Sequence, residues 1–287
     1  MANPLPLEAE VGVIGAGAMG AGIAQIAVQA GHRVHLFDTR MGATDQATTK
    51  IGEALVGLAA KGKLARADAD AAIARIVAVH ALGDLVSAKL VIEAIAEDLD
   101  VKRKLLRELE VVVVPEAILA SNTSSLSITA LAAGLKHPGR VVGMHFFNPA
   151  PVLPLVEIVR ARRSSDAAVD TAYEWAERAG KRPVRCNDTP GFIVNRILIP
   201  LLNDCVRVLD EADVTPDDLD TAMTNGAGWP LGPCALVDLV GIDVHVHASE
   251  ALHAQLGEPR MAAPERLVEM QRDGKLGRKS GRGFYSY

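Results

Sequence analysis

A histidine and a glutamate near the middle of the chain are the strongest candidates for proton-transfer chemistry. His145 ends the predicted strand Val141–His145, and Glu157 lies within the next predicted strand, Leu155–Val159. Imidazole is the side chain whose charge changes near neutral pH. A carboxylate inside a buried strand is costly without a partner, so Glu157 needs one. Pairing the two residues would orient the imidazole and raise its basicity, as a general base requires.

A glycine-rich turn near the N-terminus predicts a dinucleotide-binding site. The segment Gly15-Ala-Gly17-Ala-Met-Gly20 directly follows the predicted strand Val11–Ile14 and opens a helix. Glycines at this spacing give a tight turn and let the backbone approach a pyrophosphate, whose charge is stabilised at the helix N-terminus. The strand before the glycines and the helix after them are the context that this function requires.

Asp38 stands where the acidic residue of such a site is expected, eighteen residues after Gly20 and directly after the predicted strand Val34–Phe37. Its carboxylate can accept hydrogen bonds from both ribose hydroxyls and would repel a 2′-phosphate, which favours NAD over NADP. Arg40 follows two positions later. Because an arginine can pair with a 2′-phosphate, NADP stays as the alternative.

Polar turns follow the later predicted strands, at the edge where an open parallel sheet binds its ligand. Helix capping is the alternative explanation, since Ser, Thr, Asn and Asp are the residue types that cap helices. The polar residues of these turns are Glu93, Glu97, Asp98 and Lys102, then Ser121 to Ser125, and then His145 and Asn148.

The pattern of predicted elements that must position these residues favours an α/β fold. From Val11 to about Val159, short β-branched apolar runs alternate with longer segments of helical period, which is typical of βαβ units. Two predicted helices, at 44–60 and 67–77, lie between the second and third predicted strands and are long for a crossover. We therefore expect a Rossmann-type doubly wound, mostly parallel sheet with an inserted helical pair.

A cluster of turn-forming residues that begins at Asn187 marks the predicted domain junction. We expect an NAD-binding domain at 1–187 and an all-α C-terminal domain at 188–287 that contributes to the substrate cleft. The apolar faces of the later helices exceed what a bundle of this size needs to cover itself, so we also expect a homodimer through this domain.

Composition and charge argue against several classes of partner. The 287 residues carry 30 Lys+Arg against 35 Asp+Glu, a formal net charge of −5, with 3% aromatic residues, which disfavours nucleic acid as the main partner. No apolar run approaches the roughly 18 residues of a membrane span. The N-terminus lacks the pattern of a signal peptide, and the three cysteines do not suggest a disulfide framework. We expect a cytoplasmic protein that binds neither nucleic acid nor membrane.

Three histidines, His245, His247 and His253, raise the question of a metal site. Residues two apart on the helix predicted there point away from each other. We therefore expect no bound metal.

Seven stretches of the sequence together resemble the L-3-hydroxyacyl-CoA dehydrogenase family, in particular its short bacterial 3-hydroxybutyryl-CoA dehydrogenases. In chain order they are GVIGAGAMGAGIAQ, LVIEAIAEDLDVKRKL, ASNTSSLSI, GMHFFNPAPVLPLVEIV, DTPGFIVNRIL, GAGWPLGPCALVDLVGID and GRKSGRGFYSY. They run nearly end to end in the family's order and spacing, and together they are far more specific than the glycine motif alone.

The resemblance implies a role for each candidate residue. His145 would be the base that takes the 3-hydroxyl proton, with Glu157 as its carboxylate partner. Ser124 and Asn195 would hydrogen-bond the reacting oxygen or the thioester carbonyl, and Lys61 would meet the phosphates of CoA. The residues that would contact NAD are Gly15, Gly17, Gly20, Asp38, Glu97, Lys102, Ser124, Asn148 and Lys279.

The implied activity is reversible, NAD-dependent oxidation of a short-chain L-3-hydroxyacyl-CoA in fatty acid metabolism such as β-oxidation. Trp229 and the stretch Leu153-Pro-Leu depart from the usual pattern and put the acyl chain length in doubt. Three alternatives stay open: a gulonate-type dehydrogenase of a free hydroxy acid, a relative of the 3-hydroxyisobutyrate and phosphogluconate dehydrogenases with a catalytic lysine, and a catalytically silent NAD-binding protein. Larger family members continue beyond the position of Tyr287, so the chain is either a complete short enzyme or part of a longer one.

Overall fold

The computed structural model describes residues 5–287, which form two compact units, one ending at Thr189 and the other spanning Pro190–Tyr287. Strands and helices alternate along the first unit. Its strands are β1 (Glu10–Ile14), β2 (Val34–Phe37), β3 (Ile76–Val79), β4 (Ala88–Glu93), β5 (Ile118–Ser121), β6 (Val141–Phe146), β7 (Leu155–Arg160) and β8 (Arg182–Asn187). Its helices are α1 (Ala18–Gln29), α2 (Ala43–Ala60), α3 (Arg66–Ile73), α4 (Leu99–Val112), α5 (Ile128–Leu131) and α6 (Asp166–Arg178).

The eight strands form one sheet in the order β3-β2-β1-β4-β5-β6-β7-β8. All neighbouring strands pair in parallel except β6 and β7, which run antiparallel. The chain order reverses between β1 and β4, so the connections from these two strands leave in opposite directions and open a crevice at their carboxyl ends. The predicted doubly wound, mostly parallel sheet with the inserted pair α2 and α3 is confirmed.

Buried apolar residues explain why these segments adopt their observed structures. All four residues of β2 are buried, as expected for a strand covered by helices on both faces. In α4 the buried leucines Leu105, Leu106 and Leu109 recur at helical spacing. The side chain of Asp98 caps the same helix by accepting hydrogen bonds from the backbone of Asp100 and Val101.

Strand β3 corrects part of the sequence analysis, which extended a helix to residue 77. Helix α3 ends at Ile73, and the residues Ile76–Val79 pair with β2 at the edge of the sheet. The helical period was a misleading signal here, because β-branched residues gain more from pairing with an open strand edge than from extending a helix.

The second unit is built of helices, as predicted. They are α7 (Val194–Glu211), α8 (Pro216–Gly226), α9 (Pro233–Val240), α10 (Ile242–Leu256) and α11 (Glu265–Arg272). The sequence predicts one helix over 233–255, but α9 and α10 separate at Gly241, whose φ of 102° is a conformation that favours glycine. Within residues 5–287, no helix combines the length and the apolar character needed to cross a bilayer.

Candidate active site

The antiparallel pairing of β6 and β7 places His145 directly opposite Glu157. The His145 Nδ1 and Glu157 Oε2 atoms lie 2.7 Å apart, and the two side chains are 7% and 0% exposed. When Nδ1 donates its hydrogen to the carboxylate, Nε2 is the ring nitrogen that is able to take a proton. The structure thus hydrogen-bonds the two residues that the sequence analysis selected for proton transfer.

A buried ion pair lies at the carboxyl end of β4. The Lys102 Nζ atom lies 2.9 and 2.8 Å from the two carboxylate oxygens of Glu93, and the two side chains are 1% and 0% exposed. The Ser121 hydroxyl at the end of β5 also donates to Glu93. The sequence analysis placed Glu93 in a polar turn but did not select it as a site residue. The available signal was an acidic residue ending an apolar strand with a lysine nine positions later.

Glu97 connects this ion pair to the turn after β5. One of its oxygens, Oε2, lies 3.3 Å from Lys102 Nζ, and the other, Oε1, accepts hydrogen bonds from the backbone N–H groups of Ser124 and Ser125 at 3.0 and 3.2 Å. Burial would raise the pKa of Glu97, but the charge of Lys102 and the bonds from the turn outweigh it and hold the pKa below its usual value. An ionised Glu97 therefore fixes the backbone at Ser124.

A bridge through Asn122 joins the same turn to the strand of the candidate base. The backbone N–H of Asn122 donates to the carbonyl of Glu93 at 2.9 Å, and its side-chain Oδ1 accepts from Phe146 N at 2.9 Å. The candidate Asn148 lies two residues after the end of β6 and is exposed. The polar turns after β4, β5 and β6 thus lie along one edge of the sheet.

The loop between β6 and β7 is held by a buried lysine that the sequence analysis did not select. The Lys181 Nζ atom donates to the carbonyls of Ala150 and Leu153 at 2.6 and 3.1 Å. Burial lowers the pKa of Lys181. The segment that leads from β6 to the strand of Glu157 is therefore anchored by the side chain of the residue just before β8.

The glycine-rich turn between β1 and α1 leaves room for a pyrophosphate. A Cβ atom at Gly20 would lie 1.7 Å from the carbonyl oxygen of Gly15, so no larger residue fits there. At Gly17 a Cβ would meet nothing within 4 Å, so the packing of the first unit does not require glycine there. The open space instead fits a ligand that approaches the backbone at the start of α1.

Asp38 lies at the exit of β2 and is paired with Arg40. The Asp38 Oδ2 atom accepts from Ala16 N at 2.7 Å, and the Arg40 guanidinium donates to both carboxylate oxygens at 3.0 and 2.9 Å. The hydrogen bond from the Arg40 side chain is the largest cause that lowers the pKa of Asp38 to about 2. An ionised Asp38 is therefore present at physiological pH.

A cavity beside this carboxylate has the size of a small-molecule site. It measures about 770 Å³ and is lined by Gly17, Asp38, Arg40, Leu82 and Ile95, among others. Pockets for ligands of this kind span ~300–1,000 Å³ and combine apolar walls with a few polar groups. The residues present therefore fit the adenosine part of a dinucleotide.

The remaining candidates lie elsewhere on the chain. Lys61 follows the last residue of α2 and is exposed in the turn between α2 and α3. Asn195 and Lys279 belong to the second unit, where Asn195 is in the first turn of α7. The Lys279 Nζ atom lies 2.5 Å from Asp243 Oδ1.

His245, which the sequence analysis considered as a metal ligand, lies in the core of the second unit. Its Nε2 atom lies 2.8 Å from Asn203 Oδ1, and burial lowers its pKa to about 4. The imidazole is therefore neutral at physiological pH and hydrogen-bonded to an amide. Among residues 5–287, no group of three or more His, Cys, Asp or Glu side chains has a metal-binding arrangement.

Two family models together match nearly all of the chain. Residues 10–189 match the NAD-binding domain of 3-hydroxyacyl-CoA dehydrogenase, and residues 191–287 match its C-terminal domain. The chain belongs to the 3-hydroxyacyl-CoA dehydrogenase family. The family predicted from the seven sequence stretches is therefore confirmed, and so is NAD as the cofactor.

Several dehydrogenases are similar in sequence to this chain over nearly all of its length. A probable 3-hydroxybutyryl-CoA dehydrogenase of Deinococcus radiodurans is 43% identical over 276 residues, which span 96% of this chain and 99% of that protein. A crystal structure of (S)-3-hydroxybutyryl-CoA dehydrogenase from Ralstonia eutropha has a TM-score of 0.93 and 40% identity, covering 97% of this chain and 98% of that one. A 3-hydroxyadipyl-CoA dehydrogenase of Escherichia coli is 41% identical over 96% of this chain and 58% of its own length.

Proposed function

We propose that the protein catalyses the reversible, NAD-dependent oxidation of a short-chain L-3-hydroxyacyl-CoA, such as 3-hydroxybutyryl-CoA, to the 3-oxoacyl-CoA. The hydrogen bond of 2.7 Å between His145 and Glu157 carries this proposal, because oxidation of a secondary alcohol needs an oriented base near neutral pH. The names of the relatives support a CoA thioester as substrate.

His145 acts as the general base. Its Nε2 atom takes the proton of the 3-hydroxyl group, and the Glu157 carboxylate stabilises the imidazolium that forms. Bound NAD supplies the acceptor for the hydride that leaves C3. In the reverse direction, His145 returns the proton to the oxygen, so the same pair serves both directions.

Ser124 and Asn195 hydrogen-bond the reacting oxygen or the thioester carbonyl. The hydrogen bond from the Ser124 backbone to Glu97 fixes Ser124 in place, which supports its role as a donor. A preorganised donor stabilises developing charge without reorganisation. Lys61 binds the phosphates of CoA, which provides binding energy remote from the reacting carbon. The residues that contact NAD are Gly15, Gly17, Gly20, Asp38, Glu97, Lys102, Ser124, Asn148 and Lys279.

The second domain, taken as 188–287, contributes to the substrate cleft and mediates a homodimer. Three exposed apolar side chains around the junction of α9 and α10, those of Leu239, Val240 and Val244, support a protein contact there. The enzyme functions in the cytoplasm, in fatty acid metabolism such as β-oxidation.

The reaction is tested by mixing the purified protein with NADH and acetoacetyl-CoA and following the loss of NADH absorbance. Free acetoacetate replaces the thioester in a second assay, and NADPH replaces NADH in a third. We expect the protein to oxidise NADH rapidly with acetoacetyl-CoA. With free acetoacetate in place of the thioester, the rate should be much lower. Equal turnover of free acetoacetate would favour a free hydroxy acid as the substrate.

Variants of two histidines test the base. His145→Gln removes the proposed base, and His137→Gln serves as the control because His137 is exposed. We expect the first to lose turnover by about 10²- to 10⁴-fold while it still binds NADH, and the second to be unaffected. Full activity of His145→Gln would rule out the proposed base.

A further inference from the structure

The carboxylate of Asp38 already accepts four hydrogen bonds from the protein. Its Oδ1 atom accepts from Arg40 N at 2.8 Å and from Arg40 Nε at 3.0 Å. Its Oδ2 atom accepts from Ala16 N at 2.7 Å and from Arg40 Nη2 at 2.9 Å. An ionised carboxylate offers about four acceptor sites, so the sites of Asp38 are filled.

Two of these four donors are fixed and two are exchangeable. Ala16 N and Arg40 N belong to the backbone beside the glycine-rich turn and β2. The other two donors belong to the Arg40 side chain, which is 68% exposed and pairs with one nitrogen on each carboxylate oxygen. A ribose with free 2′- and 3′-hydroxyls needs the same two acceptor sites on the acidic residue of a dinucleotide site.

We infer that Arg40 competes with the adenosine ribose of NAD for Asp38 and binds the 2′-phosphate when NADP is the ligand. The guanidinium fork stands where the ribose diol would bond, so NAD must displace it. A 2′-phosphate lacks hydroxyl donors to offer Asp38 but accepts hydrogen bonds from a guanidinium. Arg40 thus narrows the preference for NAD that Asp38 alone would give.

Two cavities beside Arg40 can accommodate its side chain after NAD has displaced it from Asp38. Besides the cavity of about 770 Å³ next to Asp38, Arg40 lines a neighbouring groove of about 440 Å³ between α1 and α2. Lys50 and Gln46 of α2 line that groove as well. Lys50 supplies a second positive charge near a 2′-phosphate held by Arg40.

A different role of Arg40 makes the opposite prediction. If the guanidinium stacked on the adenine ring or held Asp38 in its binding orientation, its removal would weaken NAD binding. The sign of the change in NADH affinity therefore separates competition from assistance.

The experiment measures dissociation constants by titration with NADH and with 2′,5′-ADP, a probe that carries the 2′-phosphate. Arg40→Ala is compared with Arg66→Ala, because the Arg66 side chain is 67% exposed and forms a similar pair with Asp70 at 2.9 Å. We expect Arg40→Ala to bind NADH about two- to fivefold more tightly, the effect of removing an exposed ion pair. It should bind 2′,5′-ADP roughly tenfold more weakly, and Arg66→Ala should match the parent protein.

Arg40→Lys provides a second test, because lysine keeps the charge without the two-pronged fork. We expect it to bind NADH more tightly than the parent and to keep most of the affinity for 2′,5′-ADP. Unchanged or weaker NADH binding by both Arg40 variants would overturn the competition. Unchanged 2′,5′-ADP binding by Arg40→Ala would overturn the phosphate role.

This inference rests on the NAD-binding part of the proposed function, and its readout is binding rather than turnover. A protein that binds NADH but does not reduce acetoacetyl-CoA would contradict the proposed reaction and leave the Arg40 test intact. Normal turnover with no effect of the Arg40 variants on binding would contradict only the inference.

Discussion

The ion pairs and the His–Glu pair along the carboxyl edge of the sheet differ in how far they are exposed to solvent. On the side of β1 and β2, Asp38 pairs with an arginine whose side chain is 68% exposed. On the side of β4 to β7, Glu93 pairs with Lys102 and Glu157 with His145, and all four side chains are at most 7% exposed. An exposed pair separates at little cost, whereas a buried one cannot separate without leaving an unpaired charge. The first half suits ligand exchange, and the second half fixes geometry for chemistry.

The largest effect is expected from neutralising the carboxylate beside the candidate base. Glu157→Gln keeps a hydrogen-bonding group but removes the charge that stabilises the imidazolium, so kcat should fall by about 10²- to 10⁴-fold. The double variant with His145→Gln should be little worse than either single variant, because residues that act as a unit are not additive. Steady-state kinetics with acetoacetyl-CoA and NADH measures this.

Glu177→Gln is the control for that prediction, since Glu177 is exposed on α6. Its kcat should equal that of the parent protein. Additive losses in the double variant would show that His145 and Glu157 contribute separately, and the buried pair would then not be a catalytic unit.

Breaking the buried ion pair should cost the most stability. Lys102→Met leaves the Glu93 carboxylate buried without its cation, which lowers the free energy of unfolding by about 3–5 kcal/mol. Adding Glu93→Gln should recover part of that loss, because the uncompensated charge is then gone. Urea unfolding followed by circular dichroism provides the measurement.

Lys104→Met is the matched control on the same helix. The Lys104 side chain is 78% exposed, so its replacement should leave the urea midpoint unchanged. If Lys102→Met were as stable as Lys104→Met, the buried pair would contribute no more to the free energy of unfolding than an exposed lysine does. The two halves of the sheet edge would then not differ in this respect.

A buried histidine of the second unit shows what burial does without a charged partner. The pKa of His245 is about 4 in the folded protein against 6.5 as its ordinary value, so the unfolded chain binds more protons between these pH values. Its contribution to stability is complete above pH 6.5 and is lost as the pH falls toward 4. Between pH 7 and 5 the loss is about 2 kcal/mol.

The measurement compares the free energy of unfolding at pH 7 and 5 in the parent protein, His245→Gln and His247→Gln. His247 is exposed, so its replacement should leave the pH dependence as it is. His245→Gln should reduce that dependence by the amount that His245 contributes. An identical pH dependence in all three proteins would contradict the assignment.

The smallest effect on stability is expected at Arg40. Because this side chain is exposed, Arg40→Ala should leave the urea midpoint unchanged even though it alters the affinity for NADH and 2′,5′-ADP. A drop in the midpoint comparable to that of Lys102→Met would show that the exposed Asp38–Arg40 pair stabilises the fold as much as the buried Glu93–Lys102 pair does.

Much of the first unit is predictable from local pattern. The strands that end at Ile14 and Phe37 end where the sequence analysis placed them. Each is a short β-branched or apolar run followed directly by polar or glycine residues, a pattern that needs no knowledge of the rest of the fold. The parallel pairing of most strands follows from the alternation with helices, because parallel strands need crossover connections.

The errors and omissions have a common physical cause. The helical period extends over Ile76 and Val77, the first two residues of β3, and only pairing with the open edge of β2 makes them part of a strand. Glu93 was passed over because its partner Lys102 lies nine residues away on α4. Neither outcome is visible in a window of adjacent residues.

The sequence by itself determined the fold class, the family, the cofactor and the candidate residues, because short motifs with a fixed local geometry encode them. The sequence also predicted Glu157 as the partner of His145, and the tertiary structure decided the geometry of that pair. Only the tertiary structure decided that Glu93 is the partner of Lys102. Partners across a sheet depend on the register of strands and on the packing of helices over it. Those depend on the burial of the whole core, which no single segment determines.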